Sequence, residues 1–297
     1  MISRLVICNP QARLTRTQSA ADGVRDLLAT AGLPAEIVVA GDWAEAARVA
    51  REAVQDGYQQ VIAAGGDGTV NAVANGLQGS AAALGVLPLG TGNILAYNLG
   101  VERLPAALEA LRENRCGRLD LGCVNGRYFA AVAGVGFDAQ VAHRVHPLWK
   151  QQIGRVAFLT EGLAQRTHVR PHTFRVELEG EHSATLEGPM WSAFFSNVPQ
   201  HTWNLPLAQK AGLDDGWLHL ILFEDARAWD FVYGLGSALV SGDLSQAGGV
   251  SVHRVTRARI TTDPPWIWEA DGDVGGPTPV EVSVHPAAVQ VVLGATA

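Results

Sequence analysis

Two glycine-rich segments carry the residue types best suited to chemistry, and each also contains a threonine. They are Gly65, Gly66, Asp67, Gly68 and Thr69 in the first segment, and Gly90, Thr91, Gly92 and Asn93 in the second. Because glycine has no Cβ, the backbone N–H groups of such a segment can approach a phosphate closely, above all at the start of a helix. Two segments of this kind so near each other in the chain predict a nucleotide site.

The flanking residues predict the elements that position the first segment. Residues 61–64 form a short apolar run, which is typical of a buried parallel strand. Residues 70–77 place apolar side chains at helical spacing. The glycines are therefore expected at a strand-to-helix turn.

An ordinary tight turn is the alternative, since glycine-rich turns are common where strands meet helices. Neither segment matches a standard nucleotide fingerprint. The first lacks the G-x-G-x-x-G register, and the P-loop spacing from Gly85 to Gly90 is followed by Thr91 where a lysine is required. The usual mononucleotide and dinucleotide motifs are therefore disfavoured.

A family resemblance accounts for both segments. Residues 65–71 and 88–93 resemble the catalytic domain of diacylglycerol kinases, sphingosine kinases and their bacterial lipid-kinase relatives. Further matches follow in the family's order, at Asn9-Pro10, Asp120-Leu121-Gly122, residues 134–138, Asp214-Asp215-Gly216 and Asp271-Gly272-Asp273. The resemblance implies phosphoryl transfer from ATP, with Mg²⁺, to a hydroxyl of a lipid such as diacylglycerol, a sphingoid base or a related alcohol.

The resemblance also implies roles for individual residues. Nucleotide contacts are expected from the two glycine segments together with Asn9 and Asn71, and a substrate contact from Asp120. The residues expected to take part in catalysis are Asp67, Asp214 and Asp273. A second, structural Mg²⁺ is expected at Asp215, helped by the backbone carbonyls of Gly212 and Trp217.

Four of these carboxylates, Asp67, Asp214, Asp215 and Asp273, have alternative interpretations. Asp67 could cap the helix that follows it, and Asp-Asp-Gly is also a plain turn sequence. Asp273 stands where relatives have the glutamate that acts as general base, so its side chain is one methylene shorter. A base must come within hydrogen-bond reach of the proton it accepts, directly or through one water. The backbone could compensate, a water could bridge, or the protein could be slow or inactive; Glu269 and Asp271 offer other carboxylates.

The organisation of the chain changes near residue 120. Before it, apolar runs alternate with helical patterns, which predicts an α/β domain with a parallel sheet. The family resemblance implies that this domain is of the NAD kinase/diacylglycerol kinase type. After it, β patterns dominate and predict an antiparallel sandwich, interrupted by helical stretches around 150–166 and 228–240. We expect a nucleotide-binding domain at residues 1–122 and a β-sandwich lipid-substrate domain at residues 123–297. The last strand, about 287–294, is a candidate to return to the first domain.

Composition limits the classes of function. The chain has 297 residues, of which 47% are hydrophobic and 17% charged, as in globular domains with substantial cores. Its net charge of −7 argues against general nucleic-acid binding. No apolar run approaches the roughly 20 residues of a membrane-spanning helix. We expect a cytoplasmic protein, with a peripheral position at the inner membrane surface and a homodimer both left open.

Contact with a membrane lipid would draw on two further segments. Residues 144–175 hold six basic residues, one acid and the aromatic Trp149, a pattern that fits either an anionic bilayer surface or a solvated helix face. Trp203 and Leu205 could shape an acyl-chain groove or fill a local core. Two other functions stay open: an NAD kinase, since those enzymes also use Gly-Gly-Asp-Gly-Thr, and a non-catalytic nucleotide or lipid sensor, for which Asp273 is the evidence.

Overall fold

The computed structural model describes residues 2–12, 19–136, 171–199, 211–224 and 249–295. The chain divides into two compact units, one made of Met1–Leu121 with Pro286–Ala297 and the other of Gly122–His285. The predicted helical stretches near 150–166 and 228–240, the basic residues between 144 and 170, and the predicted acyl-chain residues Trp203 and Leu205 lie outside the described residues.

The first unit alternates strands and helices. Its strands are β1 (Arg4–Cys8), β2 (Glu36–Val39), β3 (Gln60–Gly65) and β4 (Ala83–Pro88). Its helices are α1 (Ala20–Thr30), α2 (Trp43–Gln55), α3 (Asp67–Leu77), α4 (Ile94–Asn98) and α5 (Leu104–Glu113). Strand β1 pairs in parallel with β2 and β3, and β3 pairs in parallel with β4. The predicted α/β alternation and parallel sheet are confirmed.

The parallel sheet forms because its central strands are apolar throughout. Every residue of β3 and of β4 is buried, as expected of a sheet covered on both faces. Helix α2 covers part of the sheet through an alanine-rich stripe, and it begins at Asp42, whose side chain accepts the N–H of Glu45. Gly76 on α3 allows close packing, since a Cβ there would overlap Ala50 of α2.

Two strands run across the boundary between the units in the chain. Strand β5 (Cys116–Val124) leaves the first unit, and β14 (Val280–Val292) returns to it. In the first unit β14 pairs in parallel with β4, where Gln290 lies opposite Ala83. The strand predicted at about 287–294 is the last part of this longer β14.

The second unit is an antiparallel β structure. Its remaining strands are β6 (Arg127–Phe129), β7 (Val132–Gly136), β8 (His172–Gly180), β9 (Ala184–Ser196), β10 (Leu218–Glu224), β11 (Val250–Asp263), β12 (Ile267–Ala270) and β13 (Asp273–Pro277). The long strands β9 and β11 each pair with β8 along one half and with β10 along the other. Phe129, Phe174 and Phe195 are fully buried in the core between them. The predicted β-rich second domain is confirmed.

Two strands of the described chain were not predicted as strands. Strand β5 contains Asp120 and two glycines, which weaken its apolar pattern. Strand β13 includes Gly275, Gly276 and Pro277, which belong to a glycine- and proline-rich segment, residues 275–279, whose composition predicts a loop. Its Gly275 is needed because a Cβ would overlap the indole ring of Trp268. Among the helices that the structure describes, none is long and apolar enough to cross a membrane.

Candidate functional site

The first glycine segment lies at the turn from β3 to α3, as predicted. Gly65 ends β3, Gly66 is the N-cap of α3, and Asp67 is its first residue. The second segment follows the carboxyl end of β4, and Asn9 follows that of β1. Because these strands are parallel, all three turns lie at the same edge of the sheet, where ligands bind in folds of this type.

The two glycine segments touch each other through their backbones. A Cβ on Gly90 would overlap the Cα of Gly66. A Cβ on Gly92 would lie 2.5 Å from Oδ2 of Asp67. No glycine in these two segments has a positive φ, so close approach rather than backbone conformation explains why glycine is required at positions 90 and 92.

Gly68 differs from Gly90 and Gly92, because no close approach of the two segments explains it. It is exposed, and a Cβ built on it would have no protein atom within 4 Å. The described protein therefore gives no packing reason for glycine at this position. Among the described residues, and apart from the backbone of α3 itself, none fills the space beside Gly68.

The Asp67 carboxylate joins the two segments. Its Oδ1 accepts the N–H of Ile94, the first residue of α4, at 2.7 Å. Burial raises the pKa of Asp67, and the N–H groups at the start of α4 oppose that rise. The alternative that Asp67 caps its own helix is wrong, because Gly66 is the N-cap of α3. Asp67 instead stabilises the start of the other helix.

Two asparagines hold the turns in shape. Asn9 donates from Nδ2 to Oγ1 of Thr69 at 3.3 Å. Asn93, in the left-handed conformation, accepts the N–H of Gly90 through Oδ1 at 3.1 Å and donates through Nδ2 to the Gly90 carbonyl at 2.9 Å. The structure thus brings the predicted residues of both segments together. It also shows that the N–H of Gly90, expected to face a phosphate, is used within its own loop.

Two other predicted ligand residues are buried structural groups. Asn71 is 4% exposed, and its Oδ1 accepts the indole N–H of Trp43 at 2.8 Å. Asp120 is 2% exposed, and its Oδ1 accepts the N–H of Ala287 at 2.6 Å. Because neither side chain reaches the surface, this geometry does not support the predicted nucleotide contact of Asn71 or the predicted substrate contact of Asp120.

The Asp-Asp-Gly motif forms a turn before β10 in the second unit. Asp215 accepts the N–H of Gly212 at 2.8 Å and the N–H of Trp217 at 2.9 Å, while Asp214 is exposed. The three residues predicted to bind a structural ion therefore lie together. Their contacts with Asp215 use the N–H groups of Gly212 and Trp217, and the predicted role of the two carbonyls as ion ligands stays a prediction.

A buried histidine beside this turn was missed by the sequence reasoning. His219 Nε2 lies 3.6 Å from Oδ2 of Asp215. Burial lowers the pKa of His219, and the Asp215 carboxylate opposes that shift. Its position in an apolar strand sequence gave no sign of a polar partner.

The late motif forms the turn between β12 and β13. Asp271 accepts the N–H groups of Ala130, Ala131 and Val132 at 2.7, 3.0 and 2.9 Å. These contacts lie where the chain passes from β6 to β7. The sequence pattern predicts a single strand over residues 128–133. Asp273 has a different partner, since its Oδ2 accepts a hydrogen bond from Nη2 of Arg127 at 2.5 Å.

The carboxylates of this turn differ in what they are free to do. Glu269 is 6% exposed and accepts the N–H of Gly272 at 2.7 Å. Asp271 is held by its three backbone N–H groups. The side chain of Asp273 is 50% exposed, so Asp273 is the carboxylate of this motif with the most access to a substrate.

A metal site of protein side chains alone is not present in the described ranges. No group of three or more histidine, cysteine, aspartate or glutamate side chains lies close enough there to hold an ion. Mg²⁺ in phosphoryl-transfer enzymes is usually held by one or two carboxylates, with phosphate oxygens and waters completing its shell. Asp67 and Asp215 each supply a carboxylate, which fits a Mg²⁺ ion whose other ligands are phosphate oxygens and waters.

A parallel sheet with paired glycine turns at one edge, in a chain that also has an antiparallel β unit, is the architecture that the family resemblance implies for a kinase. Residues 3–124 match the family model described as the diacylglycerol kinase catalytic domain. Residues 131–293 match the model described as the YegS C-terminal NAD kinase beta sandwich-like domain. The chain belongs to the diacylglycerol kinase-like family of lipid kinases and is an enzyme.

Individual relatives agree with the family. The chain is 32% identical over 224 residues to a protein of Chromohalobacter salexigens named "Probable lipid kinase YegS-like", covering 73% of this chain and 70% of that one. It is 29% identical over 294 residues to a protein of Mycobacterium tuberculosis named "Diacylglycerol kinase", covering 96% and 93%. A solved diacylglycerol kinase from Bacillus anthracis str. Sterne superposes with a TM-score of 0.78 at 18% identity, covering 99% and 98%. That last likeness shows the fold, and together these matches confirm the family resemblance.

Proposed function

We propose that the protein is an ATP-dependent lipid kinase, which transfers the γ-phosphate to a hydroxyl of a lipid such as diacylglycerol, a sphingoid base or a related alcohol. The observation that carries the nucleotide part is the open space at Gly68. A glycine in the first turn of a helix, with no side chain of the described residues against it, is suited to close approach by a phosphate.

The two glycine turns fit a nucleotide triphosphate. Gly68, Thr91 and Gly92 are exposed, so their N–H groups and the Thr91 hydroxyl can donate to phosphate oxygens. Bound ATP would supply the phosphoryl group, and Mg²⁺ would neutralise the charge that develops on its oxygens. The protein's own part is to hold rigid donors in place, and the contact between Gly66 and Gly90 supplies that rigidity.

Two carboxylates fit the expected Mg²⁺ ions. Asp67 accepts the N–H of Ile94 on Oδ1, and its carboxylate would hold an ion directly or through water. Asp215 accepts one N–H on each oxygen, and each carboxylate oxygen keeps a second lone pair for a structural ion. Both assignments rest on the chemistry of the oxygen donors.

The acceptor side of the reaction rests on Asp273 and on the relatives. We assign Asp273 as the base that takes the proton from the acceptor hydroxyl, because it is the most exposed carboxylate of its motif. The relatives named as lipid kinases support a lipid alcohol as acceptor. Such an acceptor lies in a membrane, so the enzyme would act at the cytoplasmic face of the inner membrane.

A comparison of three acceptors tests this function. Purified protein is given Mg-ATP with diacylglycerol, a sphingoid base and the nicotinamide dinucleotide in separate mixed-micelle reactions, and ADP formation is followed. We expect ADP to form with one of the lipids and Asp273→Asn to slow its formation by about 10²- to 10⁴-fold, the contribution of a positioned general base. ADP formation with the dinucleotide alone would establish the NAD kinase alternative. ATP binding without ADP formation in any reaction would favour a sensor.

A further inference from the structure

The turn that carries Asp273 is attached to the segment 127–132 at two points. One attachment is the ion pair between Arg127 on β6 and Asp273 at the start of β13. The other is the carboxylate of Asp271, which accepts three consecutive backbone N–H groups from residues 130–132. These two attachments use residues that are far apart in the chain, so the fold itself places them together.

The Asp271 attachment fixes the backbone from which the Asp273 side chain extends. Asp271 has a positive φ of 47° and donates its own N–H to the carbonyl of Val132 at 2.9 Å. Its carboxylate accepts N–H groups from the same segment, residues 130–132, so hydrogen bonds run in both directions between Asp271 and that segment. The Cα of Asp273, two residues later, therefore has a defined position relative to β6 and β7.

The Arg127 attachment then fixes the carboxylate at the end of that side chain. Nη2 of Arg127 lies 2.5 Å from Oδ2 of Asp273, and the Arg127 side chain is 29% exposed. The other charged groups of the turn, Glu269 and Asp271, are engaged with backbone N–H groups. Arg127 is thus the cation that the described structure places against Asp273.

An ordinary surface ion pair in the same unit shows the contrast. Arg259 and Glu281 lie 3.7 Å apart, with side chains 55% and 75% exposed. Such pairs contribute little to stability because water competes for both partners. The Arg127 pair is shorter and more sheltered, and one of its members is the carboxylate that we assign to proton transfer.

We propose that Arg127 is a positioning residue for Asp273, an inference that rests on the proposed function. The guanidinium holds Oδ2 and leaves Oδ1 to face the acceptor hydroxyl. In the transfer step the proton of that hydroxyl moves to Oδ1. The hydroxyl oxygen forms a bond to the γ-phosphorus, and the bond from that phosphorus to the bridging oxygen breaks, so its electron pair leaves with ADP. By fixing the direction of a short side chain, Arg127 lets an aspartate act where relatives use a glutamate.

A double-mutant cycle in a lipid phosphorylation assay tests this role. The variants are Arg127→Met, Arg127→Lys, Asp273→Asn and the double variant Arg127→Met with Asp273→Asn, and Arg259→Met is the matched control. We expect Arg127→Met to lower kcat roughly tenfold, since a positioned base contributes about 10²- to 10⁴-fold and only its orientation is lost. The KM for ATP should change by less than about twofold, because the nucleotide turns do not depend on this residue. Arg127→Lys should recover part of kcat, and Arg259→Met should behave as wild type.

The cycle separates positioning from general stability. In the Asp273→Asn background, where residual transfer is followed with labelled ATP, Arg127→Met should cause no further loss. Equal losses in both backgrounds, or a rise in kcat on Arg127→Met, would overturn the role. If Arg127→Met does not fold, Arg127→Lys in the two backgrounds gives the same comparison. A wild-type protein that phosphorylates no lipid overturns the proposed function and this inference with it, whereas additive losses in an active enzyme overturn the inference alone.

Discussion

Gly68→Ala distinguishes the glycine that a ligand needs from the glycines that the fold needs. The added Cβ would meet no protein atom within 4 Å, and position 68 has no positive φ. Alanine is favoured over glycine in a helix by about 0.5–1 kcal/mol. We therefore expect the folded protein to become slightly more stable, with Tm higher by roughly 1–4 °C in a chain of this size.

The same methyl group should weaken nucleotide binding. It would stand on the open side of the α3 N-terminus, where we propose that a phosphate approaches. Loss of one hydrogen bond to a charged oxygen costs about 1.5–3 kcal/mol, which corresponds to a roughly ten- to hundredfold higher Kd for ATP. Titration calorimetry with Mg-ATP and thermal unfolding of the same samples measure the two opposite effects.

A matched control and two results would expose an error. Gly188→Ala adds a methyl at another glycine that has no atom within 4 Å and no positive φ, in strand β9 of the second unit. It should leave ATP affinity unchanged. Wild-type ATP affinity in Gly68→Ala would refute the proposed phosphate approach. A clear loss of stability in that variant would refute the open space on which the reasoning depends.

Three further changes test other parts of the structure. Gly90→Ala would press a Cβ against the backbone of Gly66, so it should lower the free energy of unfolding by about 1–3 kcal/mol, and an unchanged urea midpoint would contradict the contact. Burial raises the pKa of Asp67, so the folded state binds its proton more tightly and stability should fall as pH rises from the ordinary value of 3.8 through the raised value. Asp67→Asn keeps an acceptor for the N–H of Ile94; it should remove that pH dependence and match or exceed wild-type stability at pH 7 while losing activity, and a variant less stable than wild type at pH 7 would count against it. Asp215→Ala leaves two backbone N–H groups without their acceptor and should cost about 1–3 kcal/mol; it should also abolish any rise of Tm with Mg²⁺, and a Mg²⁺ effect that persisted would place the structural ion elsewhere.

The sequence predicted the parallel sheet because its central strands are marked locally. The apolar run at residues 61–64 and the helical spacing of residues 70–77 each lie within a single element. The helix predicted over residues 69–77 nevertheless began two residues late, because α3 starts with Asp67 and Gly68. Apolar periodicity does not detect a first turn made of polar and small residues.

The strands that were missed depend on contacts between distant residues. Gly122 in β5 makes room for the ring of Phe129, and Gly275 in β13 makes room for the indole of Trp268. From the sequence alone such a glycine favours a loop prediction, because the aromatic ring that packs on it belongs to another strand. Those two strands could be recognised only once the neighbouring strands were placed.

The candidate site likewise contains residues that could be predicted from local motifs and residues that could not. The glycine turns were predicted because their chemistry is contained in short motifs. The partner of Asp273 was not predicted, since Arg127 lies 146 residues away and any arginine of the chain could have filled that role. For the same reason the burial of Asp120, whose carboxylate accepts the N–H of Ala287 far along the chain, could not be foreseen from its own motif.

Label transfer into lipid tests ATP-dependent lipid phosphorylation most directly. The wild-type protein is incubated with a total lipid extract in mixed micelles and Mg-ATP labelled at either the γ- or the α-phosphate, and the products are identified by mass spectrometry. We expect label from the γ-position alone to enter a phosphorylated lipid, and Gly68→Ala to form less of that product at limiting ATP. Absence of a labelled lipid from a protein that binds ATP, or incorporation of the α-label, would contradict a lipid kinase of this mechanism.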